Sequence, residues 1–550
     1  MAPFHLDFLL LLPDLFLLVS TLVLLLLGLL LAAPGSAPLV SWGSIFALVL
    51  CLILQWNRLG AGGPWGLASD PLSAFFRYLL LAGAVLLLLL FQGLHRRDSA
   101  FPFEFPILLL LATLAYLLLA GCTNFLVLYL ALELGSFCLY LLAALRRSSL
   151  FSTESGLKYF LLGGLSSAIL LLGLAFLYGQ SGTLAFGDWA LLLVHWPPAS
   201  PLPTFGLLLL AAGLAFKLAL APFHLWAPDV YDGAPLPSTA YFAVLAKLAV
   251  LALAIRLLHS TFFPLLAGFS PLLLSSGTLS ILVGTLGALA QRRLKRLLAY
   301  SAIVHGGWVM VALGSGSALG LFAAAAYSLV YLVLGLNLFG LLLVLRRRSG
   351  DLRFRTLEQL SPLFRADPAL AAVLASNLLS LAGIPPLAGF AAKLLVLVSL
   401  GDGGHYPLAG GLVLVAVLSA VYYIRLLRVL FFDRPLRWSL LRPLPPGASL
   451  PLFLSTLANL LALPLAFTWL PLPLLFLCPD PVIFFFFCSG TGAAAASSTS
   501  LPVSAGGVPA FCWFAAGIAP FFPFRWILRS FWATGAWPGE MAEWSKALRC

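Results

Sequence analysis

Of the 550 residues, 62% are hydrophobic and 9% charged, where a soluble globular domain carries roughly 25% charged residues, so a water-soluble fold is excluded. A formal net charge of +12 would point a soluble domain toward nucleic acid. Here the arginines fall in short loops between apolar runs, so the charge reads as membrane topology and no nucleic-acid partner is expected.

Apolar runs of about 20 residues recur along the chain, the length a helix needs to cross about 30 Å of hydrocarbon. Closed barrels show short alternating segments instead, so the expected fold is an all-α polytopic membrane protein. Met1 to Asp7 lead directly into an apolar run, with no basic stretch and no small-residue cleavage site, so no removable signal peptide is expected. About 14 transmembrane helices are expected. Their centres lie near Val23, Leu48, Ala82, Ala112, Glu133, Leu170, Leu210, Ala249, Leu282, His305, Val330, Leu379 running on through Lys393, Val417 and Ala458.

The loops from odd to even helices hold His95-Arg96-Arg97, Arg146-Arg147, Arg292-Arg293 with Lys295-Arg296, Arg346-Arg347-Arg348, and then Arg425, Arg428, Arg434 and Arg437. The loops from even to odd helices are nearly bare of base. That alternation supports the helix count and sets the N-terminus on the side away from the cytoplasm or matrix. The seven cysteines form no C-x-x-C pair, which argues against Fe–S clusters, structural zinc and a disulfide framework.

Phe216 to Lys247 sets two lysines, Lys217 and Lys247, in apolar sequence around Pro222, Pro228, Pro235 and Pro237. Each proline lacks a backbone donor and disfavours helix in the residue before it, so a broken helix is expected. A second interruption, at Pro385 and Pro386, is followed by Lys393. Matching breaks in helices 4 to 8 and 9 to 13 point to an internal repeat with a site near the midplane. Beyond Phe484 to Phe487 the sequence becomes low-complexity from Ser489 to Ser500, a flexible linker by composition. The remainder to Cys550 reads equally as an extra helix or as sequence with no fold of its own.

With so few charges, each one in mid-span carries information, because an ionised group at the bilayer centre costs at least ~2.5 kcal/mol. Glu133 has apolar residues on both sides; its alternative reading is a structural ion pair or a helix-packing hydrogen bond. Lys217, Lys247 and Lys393 lie too far from a loop for snorkelling to be the simpler account. Lys158 and Lys295 read either as site residues or as snorkelled anchors, and His305 as either a site residue or a neutral core histidine. Buried lysines and carboxylates exchange protons near neutral pH, so a set of them joined by water is a proton relay. A Glu133 carboxylate beside Lys217 would hold that lysine protonated, and separating the two would release the proton.

Several long motifs occur in an order that identifies a resemblance. They are Tyr129-Leu-Ala-Leu-Glu-Leu-Gly-Ser136, Phe151-Ser-Thr-Glu-Ser-Gly-Leu-Lys-Tyr-Phe160, Pro222-Phe-His-Leu-Trp-Ala-Pro-Asp-Val-Tyr-Asp-Gly-Ala-Pro235, Lys295-Arg-Leu-Leu-Ala-Tyr-Ser301 and Ala382-Gly-Ile-Pro-Pro-Leu-Ala-Gly-Phe390. From Pro13 to Asp433 the chain resembles the antiporter-like membrane subunits of proton-pumping NADH:quinone oxidoreductase, respiratory complex I, and among them subunit 2. Gly135, where a bulkier polar residue is usual, and Ala302-Ile-Val304, in place of a more polar stretch, are departures.

The resemblance implies two inverted five-helix repeats, spans 4 to 8 and 9 to 13, with helices 7 and 12 broken. It divides the chain into an N-terminal three-helix segment (1–100), a first repeat (101–260), a second repeat (261–435), a C-terminal helix (436–488) and a divergent tail (489–550). It implies that Glu133 and Lys217 form the coupling ion pair, that Lys247 is the central carrier and Lys393 the carrier of the second half-channel, and that Lys158, Lys295 and His305 belong to the axis between them. NADH, FMN, the Fe–S clusters and quinone would reside in partner subunits, with no cofactor in this chain, and its partners would be the other membrane and peripheral subunits and the lipid bilayer. The expected location is the mitochondrial inner membrane, the alternative a bacterial plasma membrane. A cation/proton antiporter subunit is the competing function. A cofactor-bearing oxidoreductase would need ligands the sequence lacks, and a pure scaffold would not need mid-span charges.

Overall fold

The computed structural model describes residues 2–31, 36–55, 66–95, 102–195, 201–345, 356–361, 363–433, 449 and 452–460. All of these fall in one unit, Met1–Pro479. Among the described residues, the α-helices up to Phe431 are numbered in chain order. The N-terminal helices are α1 (Ala2–Leu31), α2 (Ser36–Leu54) and α3 (Pro71–His95). Next come α4 (Glu104–Gly121), α5 (Phe125–Ala143), α6 (Leu150–Ser181), the short α7 (Phe186–His195), α8 (Pro201–Leu218), α9 (Trp226–Gly233), α10 (Leu236–Tyr241) and α11 (Lys247–Arg256). The rest are α12 (Leu266–Ala290), α13 (Leu294–Gly314), α14 (Ala318–Val344), α15 (Leu363–Ala366), α16 (Pro368–Ala382), α17 (Ala388–Asp402) and α18 (Tyr406–Phe431).

Among the described residues, eleven helical stretches are long and apolar enough to cross a membrane. The helix is the natural solution in hydrocarbon because it bonds every backbone group within the segment. A few helix starts are capped by a side chain: Asn124 accepts from the Leu126 amide, and Asp367 accepts from that of Leu370, with Pro368 just inside the start. The expected C-terminal helix, 436–488, is described only at 449 and 452–460, and the tail 489–550 lies outside the described residues.

The two proline-marked interruptions have the same backbone plan. The helix α8 ends at Leu218 and Ala219 turns left-handed at φ 56, three residues before Pro222; α16 ends at Ala382 and Gly383 turns left-handed at φ 85, three residues before Pro386. Not all four prolines of the first stretch break the helix. Pro228 lies in the first turn of α9 and Pro237 in the first turn of α10, where a missing amide costs nothing because that amide has no helical partner anyway. The breaks are closed by side chains: Trp226 Nε1 donates to the Phe216 carbonyl at 3.0 Å, and the Ala221 amide donates to Ser280 Oγ at 2.8 Å. In the second break Ser380 Oγ accepts from the Gly389 amide at 3.0 Å. Sequence periodicity did not foretell the π-helical turn Phe242–Ala246, which joins α10 to α11 immediately before Lys247; such widened turns often mark functional sites.

Long helices pack closely where glycines face each other. A Cβ on Gly307 of α13 would stand 2.7 Å from the carbonyl oxygen of Gly277 on α12, and one on Gly277 would stand 3.0 Å from that of Gly307. Small residues of this kind let membrane helices meet backbone to backbone. Replacing Gly307 with Ala should therefore destabilise the chain by about 1–3 kcal/mol, whereas Gly164→Ala, which meets nothing within 4 Å, should leave it unchanged. Thermal unfolding of the detergent-purified variants checks this, and equal midpoints for the two would contradict the packing described.

Candidate functional site: buried lysines on helix ends

The site begins on α5, where Glu133, Ser136 and Tyr140 recur three and four residues apart and so share one helix face. Lys217, in the last turn of α8, reaches that face. Its ammonium donates to Ser136 Oγ at 2.8 Å and to Ser167 Oγ of α6 at 3.2 Å, and lies 3.9 Å from Glu133 Oε1. It also sits 6.0 Å from the centre of the Tyr140 ring. The side chains are 6% (Lys217) and 18% (Glu133) exposed, so the pair is largely withdrawn from the surface. At such a separation the attraction is about 4 kcal/mol for an effective dielectric near 20, offset by the desolvation of both charges. The departure at Gly135 has a steric reason: a Cβ there would stand 2.8 Å from the ring of Tyr116.

A second group gathers around α13. Lys247 is 3% exposed, and its ammonium donates to the backbone carbonyl of Ala302 at 2.8 Å. One turn on, His305 hydrogen-bonds through both ring nitrogens, Nδ1 with Tyr327 Oη at 2.7 Å and Nε2 with Tyr423 Oη at 3.1 Å. Tyr423 Oη in turn meets Ser301 Oγ at 2.6 Å. Lys393 is 6% exposed, and it donates to the carbonyls of Leu381 and Ala382, the last of α16, at 3.0 and 2.8 Å. Its ammonium stands 6.0 Å from the centre of the Trp308 ring. Thus α13 offers Ala302 to Lys247 and Trp308 to Lys393, with His305 between them in sequence and within electrostatic range of both lysines.

Lys295 and Lys158 are placed differently. Lys295 Nζ donates to the carbonyls of Ala234 and Asp232 at 2.6 and 3.3 Å, so it caps the end of α9. Around it Arg293 pairs with Asp232 at 2.6 Å and Arg296 with Asp229, which fastens α9 to the start of α13. Lys158 is 45% exposed in its side chain and bridges Glu154 at 2.7 Å and Asp229 at 3.4 Å. It is therefore outside the buried groups.

Several polar residues escaped the reading of the sequence. Asp14 of α1 and Arg77 of α3 form a buried pair at 3.5 Å, legible by the same mid-span rule that found Glu133. Arg256 reaches Asp70 at 2.6 Å and the Ala120 carbonyl at 3.2 Å. Burial alone would raise the Asp70 carboxyl; the Arg256 guanidinium and Ser73 outweigh it and hold the group below its ordinary value. His224, inside the first break, is buried with Nδ1 bonded to nothing among the described residues, as are the hydroxyls of Tyr231 and Tyr241 and Nε1 of Trp308. Buried polar atoms of this kind are usual partners for internal water. The tyrosines look like ordinary core aromatics in sequence, which is why they gave no signal.

Residues 122–419 match the family described as NADH:quinone oxidoreductase/Mrp antiporter, TM. NADH-quinone oxidoreductase subunit N 1 of Rhizobium meliloti is 39% identical over 425 residues, 77% of this chain and 88% of the relative. Subunit N of Paramagnetospirillum magneticum is 37% identical over 478 residues, 85% of this chain and 96% of the relative. Among solved structures, a chain of respiratory complex I from Thermus thermophilus with bound Aureothin is 36% identical, with a TM-score of 0.69 over 82% of this chain and 97% of that one. The chain therefore belongs to the NADH:quinone oxidoreductase/Mrp antiporter membrane family, among relatives named as N subunits of NADH-quinone oxidoreductase.

Proposed function

We propose that this chain is the antiporter-like, proton-translocating membrane subunit of an NADH:quinone oxidoreductase. The observation that carries the reading is a set of titratable side chains, Lys217, Lys247, His305 and Lys393 buried and Glu133 partly so, held in membrane helices of a chain that is 37–39% identical to N subunits of that enzyme. The same identity favours it over the cation/proton antiporter. The chain itself carries out no redox step on this reading; NADH, FMN, the Fe–S clusters and quinone belong to partner subunits.

The proposed cycle starts at the Glu133–Lys217 pair. With Glu133 close, Lys217 keeps its proton; a rearrangement in a neighbouring subunit that draws the carboxylate away lowers the lysine's hold on it. The proton then passes by way of Lys247 and His305 to Lys393. His224, Tyr231, Tyr241 and Trp308 suit the water that such transfers need. Both breaks set an ammonium at the negative end of a half-helix, but from opposite sides. Lys217 belongs to the half before the first break, and Lys393 reaches back from the half after the second.

The shared plan of the breaks supports two inverted repeats, α4 to α11 and α12 to α18, within a set of about 14 transmembrane helices. On this reading Lys295 serves the axis by fixing α9, and Lys158 contributes at its edge. The relatives named above are bacterial, so the plasma membrane of a bacterium is a better location than the mitochondrial inner membrane expected from sequence.

Two outcomes follow for the assembled enzyme in sealed vesicles. Lys217→Ala should lower proton pumping coupled to NADH oxidation by roughly a hundredfold, the low end for removing a proton-transfer group, with assembly intact. Lys217→Arg should fail as well, because guanidinium does not release its proton; unchanged pumping in either would overturn the relay. Lys158→Ala removes only exposed ion pairs worth about 0–1 kcal/mol, so it should keep most of the pumping rate. A loss in Lys158→Ala as large as in Lys217→Ala would place Lys158 on the proton path itself.

A further inference from the structure

A lateral cleft of about 420 Å³ opens between α8, α11 and α12 beside the first helix break. Its walls include Leu214 and Leu218 of α8, Pro222 and Phe223 of the break, and Leu272 and Leu279 of α12. The volume falls within the roughly 300–1,000 Å³ of clefts that hold small-molecule ligands, yet this one presents almost no polar atom to a ligand. The two serines on its wall, Ser275 and Ser276, donate to the carbonyls of Leu272 and Leu273 in their own helix. Water entering the cleft would therefore find no adequate set of partners.

The position of the cleft selects its occupant. It follows α8 from Leu207 to Leu218 and α12 from Phe269 to Leu279, about 15 Å along each helix at 1.5 Å per residue. That is half of the roughly 30 Å hydrocarbon thickness, the depth of one leaflet. Both helices enter this depth from loops poor in Lys and Arg, and the cleft ends at the break. Its mouth is lined by Phe223, Leu272 and Leu279, which are 39%, 37% and 42% exposed on the outer face of the chain.

We infer that this cleft binds one acyl chain of a membrane phospholipid, from the leaflet opposite the Lys/Arg-rich loops. The tail lies along α8 with its terminal methyl against Pro222 and Phe223. It fills the space beneath the half-helix that carries Lys217. The assignment depends on the shape, depth and chemistry of the cleft, and it stands whether or not the chain moves protons.

The test uses the intact membrane assembly containing this chain, in vesicles of phosphatidylethanolamine and phosphatidylglycerol. The vesicles are doped with a phospholipid that carries a diazirine near the end of one acyl chain. After illumination, digestion and mass spectrometry, label should concentrate on peptides of α8 and α12, severalfold above exposed apolar residues of α6 such as Leu161 and Leu165. Ala212→Phe, which fills the cleft, should abolish that excess, and Leu272→Ala, which enlarges it, should raise it. Labelling of α8 and α12 no higher than α6 and indifferent to both substitutions would overturn the inference. So would loss of the label on adding a long-tailed quinone at equal concentration.

Discussion

An ammonium group inside a bilayer must find oxygen atoms, and in this protein helix ends share that task with serine hydroxyls, a carboxylate and a mid-helix carbonyl. Lys393 takes the last two carbonyls of α16, and Lys295 takes the carbonyls that close α9. Lys217 stands in the last turn of α8 and reaches two serine hydroxyls and a carboxylate. Lys247 follows a π-helical turn and draws on the Ala302 carbonyl in the middle of α13. A continuous helix consumes its own carbonyls and has few to offer. The break at Pro386 thus frees the carbonyls that hold Lys393, whereas the break at Pro222 ends α8 so that Lys217 stands in a last turn and is met by groups of α5 and α6.

This arrangement also explains why α13 is so fully enclosed. Its 21-residue span is buried over almost its whole length, because it meets α9 through Arg293, Lys295 and Arg296, Lys247 through Ala302, two tyrosines through His305 and Lys393 through Trp308. Glycines at 277 and 307 let α12 approach it closely. The apolar cleft runs along the same half-helix, so α8 sets Lys217 against the polar face of α5 and α6 on one flank and lines an apolar cleft with the other.

Much of this was legible before any coordinates. Apolar run length pointed to an all-helical membrane fold, since it follows from the thickness of a membrane, and eleven of the described stretches are long and apolar enough to span one. The cost of burying charge pointed to Glu133, Lys217, Lys247 and Lys393, and the structure buries the three lysines and brings Glu133 to Lys217. Proline count misled in one respect: Pro228 and Pro237 occupy first turns, and sequence does not show where a helix restarts. Lys158 was ambiguous because its surroundings depend on α9, a partner 71 positions away in the chain. The Asp14–Arg77 pair was within reach of the same rule, whereas the tyrosines around His305 and the π-helical turn depend on packing that no local pattern encodes.

The central claim is that Glu133 acts through Lys217, and a double-mutant cycle tests it most directly. Proton pumping driven by NADH oxidation would be measured in sealed vesicles for Glu133→Gln, Lys217→Met and the two together, with assembly verified for each. If the carboxylate works by controlling the proton on Lys217, removing it costs nothing further once the lysine is gone, and the double variant should match Lys217→Met. Losses that multiply, as for two independent sites, would contradict the account.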